Sequence, residues 1–367
     1  MEERPPGSGP LSALVSGVTV IALTLCLGLA RVGGPNAPGP ASPSSGVPQP
    51  VWRGAWQQEQ LGPVAPELRP VPEVPSAPGA NVVLGFGNNE PTLAVDPNNP
   101  LRVAAATYLG IRVSTDGGVT FQSRVNVAAP TGYNTASGGD SSLGYDSQGR
   151  LFWTFLLSKN TVGGFDVFLA ECNPTTGAIL PGYPVNVTVS AGVPDNNSTH
   201  SHDKCWLAVD SAAGSPFHDR LYVVWTDLAG NSSILTSFSS NQGSNWNTAL
   251  TLSGSGEGFV WPSQNAVATN GDTYVAYHSQ TGFTGNNPDG TSGKIFVLRS
   301  TDGGATYPQK KLAYGAGQAD ITWNVQAGPR TIPHTKFWLQ GSVQPRILAD
   351  PNVPGRIYVI ANQQPGP

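Results

Sequence analysis

Ser114-Thr-Asp-Gly-Gly-Val-Thr-Phe121 returns almost unchanged as Ser300-Thr-Asp-Gly-Gly-Ala-Thr-Tyr307. A more divergent copy, Ser239-Ser-Asn-Gln-Gly-Ser-Asn-Trp246, lies between them. Each follows a run that reads as a strand: Val103 to Val113, Ser233 to Phe238, and Lys294 to Leu298. The octapeptide itself reads as a tight turn. Gly118, Gly243 and Gly304 can take positive φ without steric cost, and the Asp116 and Asp302 carboxylates can accept backbone N–H bonds inside the turn. Asn241 keeps an amide oxygen for the same task. The Ser114 and Ser300 hydroxyls can bond local backbone. Phe121, Trp246 and Tyr307 close the copies as large apolar anchors.

Spacing turns these copies into an architecture. Asp116 to Asn241 is 125 residues and Asn241 to Asp302 is 61, so one copy is expected near residue 178. Cys172-Asn-Pro-Thr-Thr-Gly-Ala178, preceded by the strand-like Asp166-Val-Phe-Leu-Ala170, reads as that copy in decayed form. A second repeat runs in step: a short apolar strand, an Asp or Asn turn, then an aromatic-rich strand. Its copies start at Thr92-Leu-Ala-Val-Asp96, Ser142-Leu-Gly-Tyr-Asp146, Trp206-Leu-Ala-Val-Asp210, Asn265-Ala-Val-Ala268 and Arg346-Ile-Leu-Ala-Asp350. No segment reads as an amphipathic helix. Repeats of this period with four strands each predict an all-β chain, a β-propeller of four-stranded antiparallel blades. About four and a half blades are present, because Arg346 to Ala361 supplies only two strands.

The pattern S-x-D-x-G-x-T-aromatic resembles the Asp box, or BNR repeat, of sialidase-superfamily propellers. The resemblance covers most of residues 83–367. It implies a six-bladed ring, and hence a truncated sequence. It also implies exo-α-sialidase-like chemistry: three arginines on a substrate carboxylate, a Tyr nucleophile activated by a Glu, and an Asp acid/base. The catalytic part is poorly matched. Of nine arginines after Asn81, Arg102, Arg150, Arg220 and Arg356 precede second strands, at the far end of the blade from the axial pocket. Only Arg346, or Arg330, is placed to reach it.

Composition suits an exported all-β protein: 11% of residues are charged, and Gly (45) and Pro (34) are abundant. A net charge of −4 without a basic stripe excludes a nucleic-acid partner. Leu11 to Ala30 is an uncharged stretch of 20 residues, so 1–31 is expected to be a signal peptide or single membrane anchor, the chain's sole membrane link. Residues 32–82 hold 12 prolines and read as an extended linker. Residues 83–367 form the propeller domain. The expected location is extracellular or at the cell surface. Cys172 and Cys205 read as buried free thiols. Asn186, Asn196, Asn197 and Asn231 open N-x-S/T sequons.

In a propeller, the loop entering each innermost strand faces the axial pocket. Here those loops are Gly87 to Glu90, Ser137 to Asp140, His200 to Lys204, Gly256 to Trp261, and Lys336 to Arg346. They concentrate the polar groups, and two function classes follow. The first is a sialidase-like glycoside hydrolase: Asp140 or Asp203 as acid/base, Glu257 assisting a Tyr nucleophile, Arg346 on the substrate, and Glu90, His200, His202 and Lys204 lining the pocket. The second is a non-catalytic propeller that binds glycan or protein, with Trp261 and Trp338 as sugar-stacking platforms. His200 and His202, at i and i+2, could share a metal with Asp203, but hydrogen-bonding roles suit them better. No metal and no cofactor is expected, and the partner is a glycan or glycoprotein.

Overall fold

The structure, a computed structural model, describes residues 82–85, 90–160, 163–194, 200–230, 232–281, 292–314 and 345–360. The expected leader, the Pro-rich linker, Trp338 and Arg330 lie outside the described residues. Among the described residues no helix is long and apolar enough to cross a membrane.

Four antiparallel sheets of four strands follow one another. They are β1 (Thr92–Asp96), β2 (Asn99–Thr107), β3 (Gly110–Ser114) and β4 (Val125–Asn126); then β5 (Tyr133–Tyr145), β6 (Leu151–Lys159), β7 (Phe165–Cys172) and β8 (Val185–Asn186). Next come β9 (His202–Val209), β10 (Leu221–Asp227), β11 (Ser233–Ser239) and β12 (Leu250–Thr251); then β13 (Phe259–Val267), β14 (Thr273–Thr281), β15 (Ser292–Ser300) and β16 (Gln309–Tyr314). A fifth, two-stranded sheet holds β17 (Arg346–Ala349) and β18 (Ile357–Ile360). The one helix among the described residues, α1 (Val187–Ser190), is a single turn capped by the Asn186 side chain. These sheets are the four and a half blades that the repeats predict, and among the described residues each strand pairs with its neighbours in the chain.

The repeated octapeptides join the third strand to the fourth. Ser114 Oγ donates to Asp116 Oδ1 (2.7 Å) and accepts from Gly118 N (2.9 Å). Asp116 Oδ1 accepts from Thr120 N at 2.9 Å. Ser300, Asp302 and Thr306 repeat this cage. In the divergent copy Asn241 Oδ1 takes Asn245 N at 3.1 Å, so an amide suffices. The second blade has its turn at the same place. There Asn173 Oδ1 accepts from Thr175 N and Thr176 N at 2.9 and 3.0 Å. Glycine suits position 243: φ is +83°, and an added Cβ would lie 2.2 Å from Leu169 Cδ2, so a side chain there would strain the backbone and displace that leucine.

A strand buried on both faces must be largely apolar; β6 is apolar apart from Thr154, Ser158 and Lys159, and β10 apart from Thr226 and Asp227. The blades stack through four apolar seams. Ala104, Ala106 and Ile111 of the first blade meet Leu143, Tyr145 and Trp153 of the second. Phe152 and Leu156 then meet Leu207 and Cys205 of the third. Val224 packs with Val260 and Val275 of the fourth, and Tyr274 and Ala276 pack on Ile347 of the half-blade. Small residues allow the close approach: a Cβ on Gly144 would stand 2.6 Å from Val209 Cγ2. Cys172 and Cys205 are buried free thiols in different seams.

At the far end of four of the five sheets the first strand runs into an Asp (Asp96, Asp146, Asp210 or Asp350); in the fourth blade Ala268 stands there. Arg102 pairs with Asp96 (3.3 Å), Arg150 with Asp146 (2.5 Å) and Arg356 with Asp350 (3.4 Å). These arginines belong to blade architecture. Arg220 departs from the rule and donates to Gly303 O of the next blade at 2.6 Å.

Candidate functional site

Three inner strands are interrupted by a bulge near their entry. Asp140 and Ser141 stand opposite the single Phe155, and Lys204 and Cys205 opposite the single Trp225. In the fourth blade Trp261 and Pro262 bulge one pair further along, opposite His278. A bulge re-aims the side chain that it carries. Glu90, Asp140 and Lys204 each precede their strand's repeat by two residues, and each is left-handed, with φ of 57°, 49° and 50°. Non-glycine residues there cost about 1–3 kcal/mol each. The same strain recurs in three successive blades, at one place.

That place gathers charge. The Lys204 ammonium bonds Glu90 of the first blade and lies 3.1 Å from Asp140 Oδ1 of the second. Its backbone N–H donates to Asp140 Oδ2 (2.8 Å) and Asp203 Oδ1 (3.0 Å). Trp261 of the fourth blade donates its indole N–H to Asp203 Oδ2 at 2.7 Å, and its ring centre is 6.0 Å from the ammonium. Four blades thus supply three carboxyl groups, one cation and one fixed donor. Among the described residues no group of three His, Cys, Asp or Glu side chains is placed to hold a metal.

Crowding pushes the carboxyls apart in acidity. Burial, then the hydrogen bond and charge of Asp140, raise Glu90 to about 7, against a smaller lowering by Lys204. Burial works against ionisation of Asp140 too. There the hydrogen bond from Glu90, the Lys204 charge and the bonds of Asp203 and the Lys204 amide prevail, and Asp140 is held low. Asp203 is raised, by burial first and then by the Asp140 charge. Burial would lower Lys204, but Asp140 and Glu90 raise it. At neutral pH the cluster therefore holds ionised Asp140 and Lys204 beside Glu90, poised near half protonation at about 7, and Asp203, which binds its proton more tightly than an ordinary carboxyl. Glu90, with 30% of its side chain exposed, is the one most open to solvent of those paired with Lys204.

Other sequence candidates lie elsewhere. Glu257 builds a separate network, joined to the Lys310 ammonium and accepting from Tyr277 Oη at 2.6 Å. Its tyrosine partner is fully buried in the seam between the third and fourth blades, and burial followed by the Glu257 bond pushes the phenol up. This corrects the expectation of an activated nucleophile. Trp261 is a second correction: it is buried and spent on Asp203, so it offers no face to a sugar. His202 is a third. It has no exposed surface, stands 3.7 Å from Asp166, and is lowered to about 4, chiefly by burial. His200 is partly exposed and bonds Asp227 at 2.7 Å. Arg346 is exposed, with its guanidinium carbon 4.9 Å from the centre of the Trp206 ring.

Sequence reasoning missed the buried group behind the axial cluster. Asp166 accepts from Tyr133 Oη (2.6 Å) and Asn186 Nδ2 (3.3 Å), with Lys159 Nζ at 3.0 Å from its other oxygen. The legible signal was Lys159 and Asp166 at the facing ends of β6 and β7, beyond the apolar stretches Phe155–Leu157 and Val167–Ala170. The same bonds commit Asn186, which reads in sequence as a glycan acceptor.

No family model matches the chain. The xyloglucanase of Hypocrea jecorina (strain QM6a) is similar over 169 residues at 31% identity, covering 41% of this chain. The chain thus spans 18% of that relative's length. Among solved structures, an α-L-arabinanase of Penicillium chrysogenum, complexed with arabinobiose, is similar at 14% identity. Its TM-score is 0.42, and the match covers 63% of this chain and 68% of that one. An α-L-arabinofuranosidase of Fusarium graminearum, also with arabinobiose, is similar at 10% identity and TM-score 0.41, covering 61% and 65% of the two chains. A Hadza microbial sialidase is similar at 12% identity and TM-score 0.36, covering 62% and 58%.

Proposed function

We propose that the protein acts on glycans, as a glycoside hydrolase whose reacting groups are the axial carboxyls. One observation carries the reading: Glu90, raised to about 7, touches the same lysine as Asp140, which stays ionised. Glycoside cleavage needs a carboxyl that keeps its proton for the leaving oxygen and a negative charge beside the oxocarbenium-like centre. Glu90 supplies the proton. Asp140, anionic in a dry setting, stabilises the positive charge that grows on the sugar. Lys204 holds the two together. The similarity to the Hypocrea jecorina xyloglucanase agrees with a glycan substrate.

The finer reading, a terminal sialic-acid-type sugar, rests on the repeated octapeptides as Asp boxes and on Arg346 as a carboxylate ligand. A single arginine is a weaker clamp than the three that such enzymes are expected to use, so a neutral glycan suits the site better. Export and a cell-surface position remain part of the proposal, on the strength of the uncharged Leu11–Ala30 stretch.

The test is turnover of a fluorogenic α-sialoside, an α-L-arabinofuranoside and xyloglucan oligosaccharides by the purified chain, with Glu90→Gln beside it. Hydrolysis of one substrate, lost by at least about a hundredfold in Glu90→Gln, supports the reading. No turnover by a folded protein, or undiminished turnover in the variant, refutes it.

A further inference from the structure

Asp140 sits in a stretch of chain that has to be held in place. Gly138, Gly139 and Asp140 all have positive φ, at 133°, 129° and 49°. Close approach accounts for the two glycines: a Cβ on Gly138 would lie 2.3 Å from Leu156 O, and one on Gly139 would lie 3.1 Å from Tyr108 Cδ2. Asp140 carries a side chain, so its neighbours must impose its conformation. Ser141, the other residue of the bulge, is buried. Its Oγ donates to Tyr108 O of the first blade at 2.6 Å and accepts from the Trp153 indole N–H at 3.0 Å. Trp153 has no exposed surface. Tyr108 therefore touches the chain on both sides of Asp140, with its ring at Gly139 and its carbonyl at Ser141. From the third blade, Cys205 Sγ donates to Asp140 O at 3.2 Å.

A buried hydroxyl that both donates and accepts is fixed in direction, because turning it would strand two buried partners. We infer that Ser141 is a positioning residue: held between Trp153 Nε1 and Tyr108 O, it sets the bulge so that the Asp140 carboxylate meets Glu90, Asp203 and Lys204. Its consequence for catalysis rests on the hydrolytic reading above; the positioning rests on the hydrogen bonds. The chain of effects is short. Asp140 Oδ2 accepts from Lys204 N at 2.8 Å, and Oδ1 stands 3.1 Å from Lys204 Nζ. A bulge free to turn would lose both contacts. After burial, the hydrogen bond and charge of Asp140 are what keep the proton on Glu90. Releasing the bulge should therefore let Glu90 ionise at lower pH.

The experiment is a carboxyl-carbon NMR titration of Glu90 in the full 367-residue chain, its signal assigned by its loss in Glu90→Gln. The parent is compared with Ser141→Ala, Ser141→Thr and Trp153→Phe. No substrate is needed, so the titration decides the positioning while turnover separately decides hydrolysis. The parent midpoint is expected near 7. Ser141→Ala should lower it by at least about one pH unit. Trp153→Phe keeps a ring and removes the donor, and should lower it by less. Ser141→Thr keeps the hydroxyl and should stay with the parent. Where there is turnover, the alkaline limb of kcat/KM should move in the same order. An unmoved midpoint in Ser141→Ala overturns the inference, and so does a threonine variant that behaves as the alanine one. Lost thermal stability with an unmoved midpoint makes Ser141 a packing residue only, which also overturns it. If Ser141→Ala does not fold, Trp153→Phe decides by the same criterion.

Discussion

Lys204 Nζ stands 3.1 Å from Asp140 Oδ1, joining the entries of two adjacent inner strands while it also grips Glu90 of the first. One ammonium thus ties three blades at the place where their left-handed entry residues meet. A buried carboxylate deprived of its cation costs roughly 3–5 kcal/mol. Lys204→Met should lower stability by about that amount, read from the urea midpoint. Since the lysine charge lowers Glu90, its loss should raise the Glu90 pKa further.

The acid limb of stability should come largely from buried histidine. His278 is buried, its Nδ1 lies 3.2 Å from Trp261 O, and burial lowers it from 6.5 to about 4. Between those values the unfolded chain binds the proton and the folded one does not. Stability is then present above the unfolded value and falls as pH drops from 6.5 to about 4, by up to about 3 kcal/mol. Glu90 acts oppositely: its folded state keeps the proton up to about 7, so its share of stability falls as pH rises from 4.5. Urea unfolding of His278→Gln across this range should show a flatter acid side.

The turn cages should tolerate an amide and not an alanine. Asp302 accepts from Ser300 Oγ, Thr306 N and Thr306 Oγ1. Asp302→Ala should cost about 2 kcal/mol, the scale of hydrogen bonds to a charged group. Asp302→Asn should cost less than half of that, because Asn241 already does the same work. Thermal unfolding of the two variants side by side checks the ranking.

Asn186 should remain unmodified in folded protein despite its sequon. Its Nδ2 donates to Tyr133 Oη at 2.9 Å, and its Oδ1 accepts from Thr188 Oγ1 at 2.7 Å. A glycan there would replace one of the Nδ2 hydrogens that Tyr133 Oη and Asp166 Oδ2 accept, breaking one of those bonds and opening the seam beside buried Val187. Mass spectrometry of the tryptic peptide from protein secreted by a glycosylating host should show bare Asn186. An occupied site in soluble, folded protein contradicts this part of the structure.

Much of the fold was legible because a four-stranded blade writes its period into the sequence. The octapeptide fixes one turn, and the apolar strand ending at Asp96, Asp146, Asp210 or Asp350 fixes the other. The site was half legible. Glu90, Asp140, Asp203 and Lys204 fell in the expected loops, but their convergence depends on bulges and left-handed residues that no pattern announces. A one-residue bulge decides which way a strand side chain points. Trp261 was misplaced for that reason: its bulge turns the indole onto Asp203 and out of solvent. Glu257 belongs to the right loop, yet Tyr277 and Lys310 draw it into a seam.

The central claim is that Glu90 delivers a proton from a cluster tuned by Asp140 and Lys204. Its most direct test is the pH dependence of kcat/KM on whichever glycoside the protein cleaves. The account predicts an alkaline limb near pH 7, where Glu90 deprotonates, shifted upward in Lys204→Met and gone with the activity in Glu90→Gln. A rate that holds steady well above pH 7, or a Glu90→Gln variant that keeps both rate and limb, would contradict it.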